Sequence, residues 1–68
     1  MNKIPRKFYH MEGRMLVDNP PLRRGDMLVI VKNDFGYLAY DETQHTYYYI
    51  KSSLIRDENV FQVQEVVR

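Results

Sequence analysis

The apolar residues of this chain come in short β-branched and aromatic runs closed by turn formers, and that pattern restricts the fold more than any other feature. A long helix needs apolar side chains three and four positions apart, with helix-forming residues between them. Residues 27–32 instead read Met-Leu-Val-Ile-Val-Lys, with Leu28 and Ile30 facing one way and Val29 and Val31 the other, the period of a β-strand. Further strands are expected at residues 35–40, 46–51 and 60–67, and a first one at Met15-Leu16-Val17, extended back toward Phe8. In residues 46–51, Tyr48 and Ile50 share a face opposite Tyr47 and Tyr49.

The punctuation agrees with this reading. Asp18-Asn19-Pro20-Pro21 stops the first run, because proline lacks a backbone donor and restricts φ. Arg23-Arg24-Gly25-Asp26 forms a turn into the second strand, Asn33-Asp34 form the loop of a first hairpin, and residues 41–45 separate the strands of a second. Residues 52–59 hold about one helical turn, with Ser52 or Ser53 as a candidate cap and Leu54 and Ile55 as inward anchors.

At 68 residues the chain is expected to form one domain, since two units this small could not each bury a core. Strands joined without helical crossovers pair antiparallel, and a small sheet hides its edges by curling into a barrel. Residues 15–68 are assigned to the barrel and residues 1–14 to a basic arm or an extra strand. The absence of cysteine suits a reducing interior, so a cytoplasmic location is expected. There is no apolar run of signal-peptide or membrane-spanning length.

Leu22-Arg23-Arg24-Gly25-Asp26-Met27-Leu28-Val29-Ile30-Val31 resembles the Leu-basic-basic-Gly-Asp-x-Leu-x-Val segment that opens the second strand of SH3 domains. Asn33-Asp34-Phe35-Gly36-Tyr37-Leu38-Ala39 is similar to that family's loop and Gly-aromatic third strand. Tyr49-Ile50-Lys51-Ser52-Ser53-Leu54-Ile55 is similar to its apolar strand, single turn and start of the final strand. The resemblance implies an all-β fold, a small five-stranded antiparallel SH3-like barrel with a single 3-10 or helical turn before the last strand. It does not carry the family's recognition of proline motifs, which uses an aromatic groove and an acidic loop. The Ala-Leu-Tyr-Asp-Tyr box has no counterpart around residues 15–18, a short loop with Asn19, Pro20 and Pro21 replaces the acidic one, and Lys51 and Leu54 stand at the groove's proline and tyrosine positions. Tyr37, at the tryptophan position, and Tyr49 keep aromatic character.

Catalytic chemistry has little raw material: His10 and His45 are the two histidines, and no nucleophile has an evident base. The expectation is a protein that is not an enzyme and uses no cofactor. Asp41, Glu42 and His45 share a polar loop, but a solvated hairpin turn explains them better than a metal site does. Gly13, Gly25 and Gly36 are too far apart to cradle a phosphate, and each fits a turn or bulge that favours positive φ. Arg24-Gly25-Asp26 spells an adhesion tripeptide by chance.

The six tyrosines are the residues most in excess, and the Tyr47-Tyr48-Tyr49 strand cannot bury both of its faces in so small a barrel. The net charge of +1 hides a basic front end: residues 1–25 hold six basic and two acidic side chains, and residues 26–68 hold four and seven. Two function classes follow. The first is a non-catalytic interaction module, a bacterial or phage accessory or regulatory factor. It binds a protein partner or a second copy of itself through an exposed surface of Tyr37, Tyr47, Tyr49 and Leu54. The alternative is a nucleic-acid-binding barrel in which Lys3, Arg6, Lys7, Arg14, Arg23 and Arg24 hold phosphates and surface tyrosines stack on bases. No membrane or small-molecule substrate is implied.

Overall fold

The computed structural model describes residues 4–67. The β-rich run at its centre forms strand β2 (Met27–Asn33), flanked by β1 (Met11–Met15) and β3 (Gly36–Asp41). The sheet is completed by β4 (Thr46–Ile50) beyond β3 and β5 (Phe61–Val66) beyond β1, giving the order β4-β3-β2-β1-β5 with every pairing antiparallel. A short helix α1 (Ser52–Arg56) joins β4 to β5, and a lone 3-10 turn spans Arg6–Phe8. This all-β sheet is compatible with an SH3-like arrangement.

Alternation on β2 sorts the side chains into two clusters. Leu28 and Ile30 are buried with Met15, Leu22, Ala39, Ile55 and Phe61. Burial of each large apolar side chain here contributes roughly 1.5–3 kcal/mol. Val29 is equally buried on the opposite face, where it meets Tyr9 and Tyr40, with Ile4, Tyr47 and Val67 packed around them. The segment before β1 therefore covers the second face of the sheet. His10 ties it down, donating its amide to the Ile30 carbonyl at 2.7 Å and accepting from the Val67 amide at 3.2 Å.

The hairpins form where the turn residues place them. In the first, Asn33 Oδ1 accepts the Phe35 amide at 2.9 Å and Gly36 takes φ +124°, which leaves Phe35 at the tip 87% exposed. In the second, Asp41 Oδ1 accepts the amides of Thr43 and Gln44, both at 2.9 Å.

Three local expectations are corrected. The first strand, expected at residues 15–17 with an extension back toward Phe8, is Met11–Met15: the extension forms the strand, and Leu16 and Val17 lie beyond it. Met11, Gly13 and Met15 are its inward positions, and Leu16 instead donates its amide to the Val60 carbonyl, where the chain leaves the sheet. Neither Ser52 nor Ser53 caps α1: the cap residue is Lys51, no side chain bonds to the helix start, and the Lys51 carbonyl accepts the Leu54 amide at 3.0 Å. Gly13 is required for space rather than for positive φ. It sits at a register shift between β1 and β5, where an added Cβ would lie 2.2 Å from the Gln62 carbonyl oxygen and 2.5 Å from Phe61 Cζ.

Candidate functional site

A groove of about 450 Å³ runs between the loop that follows β1 and the end of β4 with α1. Its lining includes Pro20, Pro21, Tyr48, Tyr49, Lys51 and Leu54. Each wall follows from local sequence. Two reciprocal backbone bonds between Asn19 and Leu22, at 2.8 and 2.9 Å, pinch the chain so that Pro20-Pro21, joined by a cis peptide bond, projects as the tip of the loop. Leu22 is buried in the first cluster and anchors that tip. On the other wall Leu54 packs against the same cluster beside buried Ile55.

Of the four residues expected to form a protein-binding surface, Tyr49 and Leu54 line this groove, and Tyr49 is 66% exposed. Tyr37 and Tyr47 are elsewhere. Tyr37 pairs with Lys32 and Ile50 on the side of the first cluster, with its ring 5.6 Å from that of His10 and the Lys32 ammonium 5.9 Å from its centroid. Tyr47 lies opposite Tyr40 on the other face, centroids 4.8 Å apart, half-buried in the second cluster. Alternation along β3 and β4 thus sends Tyr37 to one side of the sheet and Tyr47 with Tyr49 to the other.

The basic residues are dispersed in their contacts. Arg6 forms ion pairs with Glu65 and Glu12, and its guanidinium sits 5.9 Å from the Tyr9 ring centroid. Hydrogen bonding to Arg6 holds the Glu65 carboxyl below its ordinary range, while burial and a hydrogen bond with Glu65 push Glu12 up. The Lys7 ammonium lies 5.2 Å from the Phe8 ring centroid. Arg14, Arg23 and Arg24 have exposed side chains, and the Arg24 amide donates to Asp18 Oδ1 at 2.9 Å. Lys3 lies outside the described residues.

His10 and His45 are not brought together: His10 contacts Tyr37, and His45 Nδ1 lies 3.4 Å from the hydroxyl of Tyr40, which projects from the other face of β3. Among the described residues no three His, Asp or Glu side chains assemble as metal ligands do. Asp41 is instead fully buried and turned toward Asp26. Gln44 bridges the two, with Nε2 2.7 Å from Asp26 Oδ2 and 3.2 Å from Asp41 Oδ2, and reaches the Pro21 carbonyl at 3.0 Å. This polar cluster behind the groove escaped the sequence reading because Asp41 stands in an otherwise solvated loop pattern. Its one signal was the strand-like run leading into it.

Comparison with protein-family models, with curated protein sequences and with solved structures gives no match.

Proposed function

We propose that the protein is a non-catalytic interaction module that binds a protein partner, or a second copy of itself, at the groove between Pro20-Pro21 and the end of β4. The observation that carries this reading is Tyr49, an aromatic residue two-thirds exposed on the strand whose end lines the groove together with Leu54. Rigid aromatic and aliphatic side chains next to a concave surface give contact area at little entropic cost, and such residues dominate protein interfaces. The sheet order and the Leu22 to Val31 segment support an SH3-like barrel, here with Pro20, Pro21, Lys51 and Leu54 at a groove that lacks the proline-motif apparatus. Cysteine-free composition supports a cytoplasmic setting, and small size supports a bacterial or phage accessory or regulatory factor.

Capture of partners from a bacterial lysate, with and without nuclease, tests the reading. The wild type is run beside Tyr49→Ala/Leu54→Ala and Arg23→Glu/Arg24→Glu variants. A nuclease-resistant protein partner lost in the groove variant and kept in the arginine variant is the expected result. Nucleic acid retained by the wild type and lost in the arginine variant would replace this reading with the nucleic-acid-binding one.

A further inference from the structure

The polar cluster behind the groove has a donor shortage that its geometry makes countable. Gln44 Nε2 carries two hydrogens but has three oxygens within reach: Asp26 Oδ2 at 2.7 Å, the Pro21 carbonyl at 3.0 Å and Asp41 Oδ2 at 3.2 Å. Asp26 Oδ2 also accepts the Arg23 amide at 3.1 Å, and Asp41 Oδ1 is occupied by the amides of Thr43 and Gln44. The farthest oxygen, Asp41 Oδ2, is therefore the most weakly served of the three, and a proton on it has Asp26 as its acceptor. Both side chains are buried and hydrogen-bonded to each other. Two ionised carboxylates buried side by side repel strongly.

We propose that Asp26 and Asp41 share one proton in the folded protein, and that this proton latches the Pro20-Pro21 wall of the groove to the sheet through Gln44. With the proton in place the carboxyls hold each other, and the Gln44 amide serves Asp26 and the Pro21 carbonyl. Without it, the amide is drawn between two carboxylates, Pro21 loses its donor, and the wall loosens. Gln44 Oε1 also lies 3.4 Å from the Tyr48 hydroxyl, so both walls of the groove meet at this side chain.

The charged surroundings relieve Asp26 but not Asp41. Arg23, in the loop before β2, favours ionised Asp26. Opposite Asp41 stand Leu28 on β2 and Thr46 on β4, both uncharged. In the turn, Glu42 follows Asp41 and His45 follows Gln44, with His45 directed to Tyr40. In the loop, the Asp18 carboxylate takes the Arg24 amide. Burial and the bond with Asp26 push the Asp41 carboxyl up to about 6. Burial also opposes ionisation of Asp26, but hydrogen bonds from Asp41, Gln44 and the Arg23 amide outweigh it and hold that carboxyl below the ordinary 3.8.

The test needs no binding partner, so its failure is separable from failure of the binding reading. Backbone hydrogen exchange at residues 19–25, corrected for intrinsic rates, is measured at pH 4.5 and 7.5 in the wild type and in Asp41→Asn, whose amide donates to Asp26 permanently. A carboxyl that returns from about 6 to 3.8 when the latch opens raises opening roughly 25-fold over this interval. That rise is expected in the wild type and is absent from Asp41→Asn. In the wild type, a carbon-13 titration is expected to show one aspartate carboxyl titrating near pH 6. The proposal is overturned if loop opening is independent of pH in the wild type, if it rises equally in both proteins, or if both carboxyls titrate below pH 4.5.

Discussion

Replacing Gly13 by alanine strikes a close approach between β1 and β5. Ordinary van der Waals contact for a Cβ begins at 3.4 Å, whereas this one would lie 2.2 Å from the Gln62 carbonyl oxygen, so the strands would have to part by more than 1 Å. Phe61 cannot move aside, because its ring is fully packed and its Cζ is itself 2.5 Å away. Overpacking of this kind costs roughly 1–3 kcal/mol, and loss of one neighbouring ladder hydrogen bond adds about 1 kcal/mol. The sum, ~3 kcal/mol, is a large share of the ~3–10 kcal/mol that holds a chain of this length together. Urea unfolding followed by tyrosine fluorescence and far-ultraviolet circular dichroism measures it, and with a slope of about 1 kcal/mol per molar the midpoint should fall by about 3 M. Gly25→Ala is the control: its added Cβ meets nothing within 4 Å, and the cost there is only that of φ +90° for a non-glycine residue, about 1–2 kcal/mol. A loss below 1 kcal/mol for Gly13→Ala, or one no larger than that of the control, refutes the close-approach argument.

Three further outcomes follow from the same structure. Asp41 prefers its proton in the folded state, so this stabilisation is full below pH 4 and is lost as pH rises through about 6. The wild type should therefore be ~2 kcal/mol less stable to urea at pH 7.5 than at pH 4.5, and Asp41→Asn should show no such loss. Asp26 has the opposite sign, removing stability as pH falls below its unfolded value of 3.8. Tyr40→Ala should cost ~3 kcal/mol or more in thermal or urea unfolding, and Tyr49→Ala less than ~0.5 kcal/mol, because the first ring is buried and the second exposed; equal losses would contradict the assignment of faces. Arg6→Gln should lower the melting temperature slightly in low salt, and the difference should largely vanish in 1 M sodium chloride, since Arg6 and its nearer partner Glu65 are exposed to solvent.

The strands and hairpins were legible where local chemistry and tertiary packing agree. Val29 and Val31 alternate with Leu28 and Ile30, and Asn33 and Gly36 supply the turn geometry that the first hairpin uses. Legibility failed where a distant residue decides the matter. Gly13 and Arg14 interrupt the apolar pattern of β1, so its bounds within the stretch from Phe8 to Val17 needed Phe61 and Gln62 opposite. Tyr9 reads as part of a basic arm, and only the sheet's second apolar face, with Val29 and Tyr40, explains its burial. The tyrosines were countable in sequence, but their distribution over two sides depends on β3 and β4 pairing in register. The groove needed Pro20-Pro21 and α1 to meet across the fold, which no local spacing encodes. Helix capping by Ser52 or Ser53 was a sound local expectation, displaced by the Lys51 carbonyl.

The meeting of His10 with Val67 has a topological consequence. Ile4 and Val67 pack against one cluster, and β1 and β5 are sheet neighbours although they are the first and last strands in sequence. The described ends of the chain therefore lie side by side, while the exposed tip at Phe35 joins strands that are already held by their own ladder. A few linking residues between those ends would let the chain be opened at Phe35 with the sheet order unchanged. Strand sequence and strand neighbourhood are separable properties of this fold.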